Sequence, residues 1–287
     1  MNKQRGGVIR EYDISSPHIK ALLAIIYLIC IIMVIVSVFP PIWVFLSSFK
    51  DIREFVREPS IFPPTYDFQK FVVTWNTFKF GQFYLNSFYS VTGSVVCAIV
   101  FNGLLAYGLS VLKPRGHKII LALVMWSLLI PATTSIVPLF VNINRIGLNG
   151  FFTPLWLIAG ANAFYVILFK QFFDAFPDAL LEAAKIDGCT DMAVFTKILL
   201  PLSKPICVVI AIYAINAAWS DFLLPYLVLN NTSFETVMVK LFEFKDSNAN
   251  DVEVLRAIVF SIIPPIILFS LFQKQITETM ISSGIKG

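Results

Sequence analysis

Charged residues occur in two places where they could do chemistry. The first is the stretch from Glu182 to Pro201, which belongs to the longest polar interruption between apolar segments in the second half of the chain. The second is Asp221, the one acid well inside an apolar segment. The sequence has no phosphate-binding loop of the form G-x-x-x-x-G-K-S/T, and no Ser/His/Asp or metal-ligand constellation stands out. We therefore predict that the chain is not an enzyme, does not hydrolyse ATP itself, and holds neither a metal nor a cofactor.

The polar stretch predicts two short helices joined by a turn. Pro177 suits the first turn of a helix and Gly188 suits the left-handed stop after it, so we predict a helix from about Pro177 to Asp187. A second helix follows, and the pair Thr190-Asp191 can cap it. Pro201 is expected to end this second helix. Its apolar stripe, at helical spacing, consists of Met192, Phe195, Ile198 and Leu199.

The composition places most of the chain in a membrane. The sequence is 57% hydrophobic and 14% charged, with a mean hydropathy of +0.77, which is too apolar for an ordinary soluble domain. A membrane-spanning helix needs about 20 mostly apolar residues. The candidate stretches are 21–49, 80–112, 119–144, 146–169, 205–230 and 257–273. We predict an all-α polytopic membrane protein with six transmembrane helices. Pro40-Pro41 predicts a kink or break near the end of the first one.

The distribution of Lys and Arg predicts an orientation. Placing both termini and the loops 113–118 and 170–204 on one face collects 13 of the 22 Lys and Arg residues there. The positive-inside rule makes this face cytoplasmic. The predicted organisation is a cytoplasmic leader over residues 1–20, one transmembrane domain over 21–274, and a cytoplasmic tail over 275–287. The small net charge of +4 gives no reason to expect nucleic acid as a partner.

The polar stretch also carries a motif that resembles that of a known family. Glu182-Ala183-Ala184, Gly188, Ile198 and Leu200-Pro201 match, with their spacing, the motif of inner-membrane permease subunits of binding-protein-dependent ABC importers. Four further places that resemble the family are Asn86-Ser87, Ala106 to Ser110, Ile130 to Leu139, and Gly284 to Gly287. The likeness therefore covers nearly the whole chain. Its size, segment count, long first outer loop and final residues look most like the carbohydrate-uptake branch, and are similar to the smaller permease of maltose-type transporters.

The resemblance implies a role for the motif. In the family this element is a coupling loop, here residues 177–201, which docks into a cleft on the ATP-hydrolysing subunit. The family's Glu makes a polar contact there, and Glu182 has its position. The ATPase-coupling residues implied in this way are Glu182, Ala183, Ala184, Asp187, Gly188, Leu200 and Pro201. Residues 177–201 are called the motif segment below.

The resemblance also implies partners and a location. These are a second permease subunit, an ATP-binding-cassette ATPase dimer that hydrolyses ATP, an extracytoplasmic solute-binding protein and membrane lipid, in the cytoplasmic membrane of a bacterium. The outer loop from Asn231 to Asp251 is placed to meet the binding protein, and a solvated connector is the alternative. The implied solute is a sugar or oligosaccharide. Importers of polyamines and amino acids share the motif and are alternatives.

Five polar or aromatic side chains within apolar segments are candidates to line a solute path, namely Asn162, Tyr213, Asn216, Trp219 and Asp221. Asp221 lies 17 residues past Lys204, a helical rise of about 26 Å that puts it near the outer interface. We therefore favour a structural or gating role for Asp221 over a proton relay. A relay would suit the rival class, an ion-driven secondary transporter, which predicts internal repeats and coupling acids near the midplane. The sequence shows no convincing repeat.

Overall fold

The computed structural model describes residues 17–57, 60–246 and 249–284. Most of the predicted leader and the final Ile285-Lys286-Gly287 lie outside these residues. The chain divides into two compact units, residues 1–70 with 250–259 and residues 71–249 with 260–287. In chain order the helices are α1 (Pro17–Ser47), α2 (Ile52–Arg57), α3 (Gln69–Thr77), α4 (Phe80–Tyr107, continued by the π-helical turn Gly108–Leu112), α5 (His117–Ser127), α6 (Ala132–Arg145), α7 (Thr153–Gly160), α8 (Ala163–Phe173), α9 (Asp178–Ile186), α10 (Asp191–Leu202, π-helical over Val194–Leu199), α11 (Lys204–Ser220), α12 (Leu223–Leu229), α13 (Val237–Asp246) and α14 (Asp251–Gly284).

The helices confirm an all-α polytopic membrane fold. Within the described residues, three helices are long and apolar enough to cross a membrane by themselves, namely α1, α4 with its π-helical turn, and α14 as far as Lys274. Three further candidates are bent pairs, with angles of 107° between α5 and α6, 42° between α7 and α8, and 80° between α10 and α11. The structure thus has three such helices, or up to six if each bent pair is one span. The count of six stays a prediction.

Prolines have different effects in the first and third predicted stretches. Pro40 and Pro41 do not break α1, which continues through both of them to Ser47. Each proline removes one backbone hydrogen bond from the helix, whereas unwinding the helix there would leave the polar groups of a whole turn unpaired in hydrocarbon. The stretch 119–144, in contrast, is broken between α5 and α6. Pro131 disfavours a helical residue before it and precedes the first residue of α6, so the direction of the chain changes there.

The break between α7 and α8 is held by a side chain from α4. Asn102 is fully buried and donates from Nδ2 to the carbonyl oxygens of Ala98 at 2.8 Å and of Ala159 at 2.9 Å. Its Oδ1 accepts the backbone N–H of Asn162 at 2.9 Å. The last carbonyls of one helix and the first amides of the next have no partner within the helix itself. Asn102 satisfies one of each and so stabilises the bend.

Two glycines allow α4 and α7 to approach closely. A Cβ atom on Gly93 would lie 2.2 Å from the indole of Trp156, and one on Gly160 would lie 2.6 Å from Cδ2 of Phe101. The Trp156 indole also donates to the carbonyl oxygen of Ser90 at 3.1 Å. Small residues at the contact are the usual means of close helix packing in membranes, where van der Waals contact replaces the hydrophobic effect as the driving force. These contacts join α4 and α7 firmly.

The predicted outer loop 231–251 is more than a solvated connector, because it contains α13. Asn86 on α4 donates from Nδ2 to the carbonyl oxygens of Ser233 at 2.8 Å and Glu235 at 2.9 Å. The hydroxyl of Ser87 accepts the backbone N–H of Val237 at 2.9 Å. The pair Asn86-Ser87, which resembles the family in sequence, therefore fixes the entry to α13 against α4.

The unit made of residues 1–70 with 250–259 contains a tightly packed turn after α1. Phe49 is 1% exposed and its ring lies among those of Phe45, Tyr66 and Phe68, with centroid distances of 5.1 to 5.3 Å. The buried guanidinium of Arg256 donates to the carbonyl oxygens of Ser48 at 2.8 Å and Lys50 at 3.1 Å. The last carbonyls of a helix need partners of this kind. Arg256 thus closes the C-terminal end of α1.

Candidate functional site

The first helix of the motif segment forms where the sequence predicts it. α9 runs from Asp178 to Ile186 and ends in a Schellman motif, in which the N–H of Cys189 donates to the carbonyl of Ala184 at 3.0 Å and that of Gly188 donates to Lys185 at 3.1 Å. Gly188 has a φ of 79°, the left-handed conformation that this motif requires. The turn is therefore fixed by the local sequence, and Gly188 sets the angle between the two helices.

The second helix also follows the prediction, except at its end. The hydroxyl of Thr190 caps α10 by accepting the N–H of Ala193 at 3.3 Å. Phe195 and Leu199 of the predicted apolar stripe are buried, whereas Met192 is 58% exposed. Pro201 does not end the helix, which continues to Leu202 and breaks at Ser203. The preceding turn is π-helical, a local adjustment that can accompany a proline, which has no N–H to donate.

The two faces of α9 differ. Leu181 and Ala184 are 7% and 6% exposed and join the main apolar core of the second unit. Glu182 and Ala183 are exposed, and Ile186 is exposed by 85%. Ala184 therefore packs inward and Ala183 outward, so only Ala183 can allow a close approach from outside. Ile186 was not among the predicted site residues, although an exposed apolar residue off the buried stripe is a signal for a contact surface.

Glu182 also borders a polar cleft of about 590 Å³ beside α9. Four lysines line the cleft, one of them from α9 itself. Two acids near the start of the motif segment line it together with Glu182. The charged lining residues are Lys113, Lys118, Lys170, Lys185, Asp174, Asp178 and Glu182. A mixture of both signs is suited to polar contacts with a protein surface rather than to one small ion.

We expect Gly188→Ala to destabilise the turn of the motif segment. The left-handed conformation raises the free energy of a residue with a Cβ by about 1 to 2 kcal/mol. Space for a Cβ is available at this position, so the cost comes from the backbone conformation and not from a clash. A denaturant titration of the purified chain in detergent should therefore show a free energy of unfolding lower by about 1 kcal/mol. Gly81→Ala is the matched control, because Gly81 lies in α4 with open space around it. That change should be neutral or slightly stabilising, and an equal loss in both variants would contradict the expectation.

Two of the five predicted path residues meet in one cavity. Asn162 and Asp221 both line a space of about 430 Å³ together with Ser90, Ser94 and Tyr165. The oxygen of Asn162 caps α8 by accepting the N–H of Phe164 at 3.0 Å and of Tyr165 at 3.2 Å. The Asp221 carboxylate lies beside the backbone amides of residues 222–224, where α12 begins. Both side chains therefore have a structural role at a helix break and also border the cavity.

The other three predicted residues lie on a different face of α11. Tyr213 and Asn216 line a space of about 230 Å³ that Pro265 and Phe269 of α14 complete. The indole of Trp219 donates to the carbonyl oxygen of Ser261 at 3.0 Å, which ties α11 to α14. The structure thus does not bring the five residues to one site. The spacing along α11 accounts for this, because residues 213, 216 and 219 recur at helical intervals and Asp221 lies off their line.

The structure combines membrane-length helices, cavities among them and a polar helical hairpin, which are features found in membrane permeases. A family model described as "Binding-protein-dependent transport system inner membrane component" matches residues 24–281. The chain belongs to this family. It is therefore a membrane permease component of an ABC transport system, and the family is a transport family rather than an enzyme family.

Curated relatives cover nearly the whole chain. The arabinooligosaccharides transport system permease protein AraQ of Halalkalibacterium halodurans is 30% identical, over 88% of this chain and 92% of that protein. The probable ABC transporter permease protein YurM of Bacillus subtilis is 29% identical, over 91% of this chain and 88% of the relative. The diacetylchitobiose uptake system permease protein NgcG of Streptomyces coelicolor is 28% identical, over 90% of this chain and 87% of that protein.

A solved structure has the same fold. It is a chain from the crystal structure of a bacterial ABC transporter involved in the import of the acidic polysaccharide alginate. It superimposes with a TM-score of 0.80 and 24% sequence identity, over 90% of this chain and 98% of that one. The resemblance of this chain to ABC importer permeases, stated from the motif, is thereby confirmed for the family and the fold.

Proposed function

We propose that this chain is a permease subunit of an ABC importer for a sugar or oligosaccharide, coupled through the motif segment to a separate ATPase. The coupling role is supported by the difference between the buried and the exposed face of α9. One face is fixed in the core by Leu181 and Ala184, and the other presents Glu182 and Ile186 to a partner. A rigid element of this kind can transmit the movement of a partner to the spans.

The proposed mechanism is a population shift between inward-open and outward-open states. ATP-driven closure of the ATPase dimer would displace the motif segment, and the helices joined to it would change their arrangement. The partners in this mechanism are the ATPase dimer, a second permease subunit and an extracytoplasmic solute-binding protein. Both termini and the motif segment lie on the cytoplasmic side in this arrangement, as the Lys and Arg distribution predicts.

The solute class is supported by the relatives. AraQ and NgcG are named for the transport of arabinooligosaccharides and of diacetylchitobiose. MelC of Bacillus subtilis, 28% identical, is named for the import of melibiose, raffinose and stachyose. The cavity between α4, α7, α8 and α11 offers hydroxyl and amide groups, which suit a solute rich in hydroxyl groups. Polyamines and amino acids are the alternative solutes.

Co-purification tests the assembly. The tagged chain is extracted in mild detergent, and the proteins that stay bound at stoichiometric level are identified by mass spectrometry. An ATPase with a phosphate-binding loop and a second permease are expected, and the co-encoded binding protein can then be screened against sugars. A chain that comes out alone and supports ion-driven uptake in vesicles would refute the proposal and favour a secondary transporter.

Substitutions of Asp221 separate the two mechanisms further. Asparagine caps helices as well as aspartate does, so Asp221→Asn should keep both stability and solute uptake near the wild-type value. Asp221→Ala removes the acceptor beside the first amides of α12 and should lower the free energy of unfolding by about 1 kcal/mol. Uptake into proteoliposomes and a denaturant titration measure the two effects. If Asp221→Asn abolishes uptake without loss of stability, the carboxylate takes part in transport directly, as in an ion-driven carrier.

A further inference from the structure

The end of α4 makes a contact with the motif segment that the proposed function does not yet use. Tyr107 is 3% exposed and its hydroxyl donates to the backbone carbonyl of Asp191 at 3.1 Å. Its ring centroid lies 5.4 Å from that of Phe195, which is also buried. One turn earlier, a Cβ on Gly103 would lie 3.5 Å from Cζ of Phe195. The start of α10 is therefore held against α4 by one hydrogen bond and by the packing of the Phe195 ring over Gly103.

A second contact joins the same part of α4 to the residues that lead from α8 into the motif segment. The buried Ser110 donates from Oγ to Oδ1 of Asp174, and Nζ of Lys170 lies 2.6 Å from Oδ2. Asp174 is the residue after α8 and lies just before Pro177. Partial burial alone would raise the pKa of the Asp174 carboxyl, but the hydrogen bonds from Lys170 and Ser110 and the nearby lysine charges outweigh it and lower the pKa. The carboxylate is thus ionised at neutral pH and a strong acceptor.

Both contacts lie at irregular helical turns. α4 changes to a π-helical turn at Gly108, directly after Tyr107, and α10 is π-helical over Val194–Leu199, where Phe195 lies. Such turns are rare and occur often at functional sites. The chain itself connects the motif segment only to α8 and α11. α4 has no covalent link to it, so these side chains add a direct contact to the apolar packing that already joins α4 to the motif segment and α8.

We propose that Tyr107 and Ser110 form a second, non-covalent connection through which displacement of the motif segment moves α4 together with α8 and α11. Tyr107 is a positioning residue in this scheme, because it contacts neither solute nor ATP. The inference rests on the proposed coupling role of the motif segment. It explains the sequence Ala106 to Ser110, which resembles the family but has no part in the ATPase contact.

The test uses the complete transporter reconstituted in proteoliposomes and measures solute imported per ATP hydrolysed. Tyr107→Phe keeps the ring over Phe195 and removes only the hydrogen bond to Asp191. One such bond corresponds to about a two- to tenfold change in an equilibrium, so the transport-to-ATP ratio should fall by about this factor. Ser110→Ala removes a hydrogen bond to a carboxylate, which is stronger than a neutral one, so it should lower the ratio at least as much. Tyr89→Phe is the matched control, because Tyr89 is a 59% exposed tyrosine on the same helix, and it should keep the wild-type ratio.

The outcomes are distinct. A wild-type ratio in both Tyr107→Phe and Ser110→Ala, in a transporter that imports solute at the expense of ATP, would overturn this inference and leave the proposed function intact. A proportional loss of uptake and ATPase activity would indicate a smaller amount of folded transporter, and would also overturn it. If the wild-type chain binds no ATPase, the proposed function is refuted, and the inferred connection is refuted with it. A lower ratio with normal ATPase activity supports the connection.

Discussion

Replacement of Glu182 by lysine is expected to abolish ATP-driven uptake while leaving the protein folded and in the membrane. Glu182 is exposed on the outer face of α9, so the substitution leaves the buried Leu181 and Ala184 untouched. In the proposed complex, however, its carboxylate makes a polar contact with the ATPase. Reversing the charge of one partner in such a contact typically costs 2 kcal/mol or more, so coupled uptake should fall by about thirtyfold or more.

Uptake and ATP hydrolysis are measured together in proteoliposomes, after the amount of inserted protein has been compared by immunoblot. Thr196→Lys is the control, because it places a lysine at an exposed position of the same segment that does not border the polar cleft. Uptake should fall by less than about threefold in this variant, as is usual for an exposed surface substitution. Glu182→Gln keeps an acceptor and should fall between the two. Wild-type uptake by Glu182→Lys would remove the coupling role from Glu182.

Replacement of Ile186 by aspartate is expected to weaken binding of the ATPase. Ile186 lies between Lys185 and Asp187 in a polar segment, so lipid does not explain an isoleucine that is 85% exposed. Burying such a side chain in an interface contributes about 1.5 to 3 kcal/mol. The dissociation constant of the permease and ATPase, measured in detergent, should therefore rise by about ten- to a hundredfold.

Thr196→Asp is the control for the Ile186 substitution. It adds the same charge at an exposed position of α10 in the same segment, and Thr196 bonds only to the preceding turn, from its hydroxyl to the carbonyl oxygen of Met192. Affinity should change little in this variant. An equal loss of affinity in both variants would mean that the added charge acts through long-range electrostatics, and an unchanged affinity in Ile186→Asp would place the contact elsewhere.

The sequence predicted best the features that depend on a few neighbouring residues. α9 begins after Pro177 and ends before Gly188 because a proline, a glycine and the hydrogen bonds of one turn determine both limits. The apolar stretches were likewise found from composition alone. Which face of α9 packs inward was harder to predict, because apolar residues occur on several sides of this helix. They are Leu180, Leu181, Ala183, Ala184 and Ile186. Only packing against the core distinguishes Leu181 from Ile186.

Features that depend on distant residues could not be predicted. The bend between α7 and α8 is stabilised by Asn102, whose side chain comes from about 60 residues away and shows no local signal. α13 lies in a loop expected to be a connector or a docking surface, and contacts from Asn86 and Ser87 position it. The separation of the path residues into two groups also depends on which side of α11 faces α14. Tertiary contacts decide all three.

The hydrogen bonds of Asn102 and the close approach at Gly93 and Gly160 have a consequence for the degrees of freedom of the permease. They fix how α7 packs on α4 and how α8 follows α7, so the 42° bend between α7 and α8 is a fixed shape rather than a hinge. α5 and α6 are much less enclosed, since only Ile143 of their described residues is buried. In the proposed importer, we therefore expect a change of access to rotate helices at the 107° and 80° joints rather than at the 42° bend.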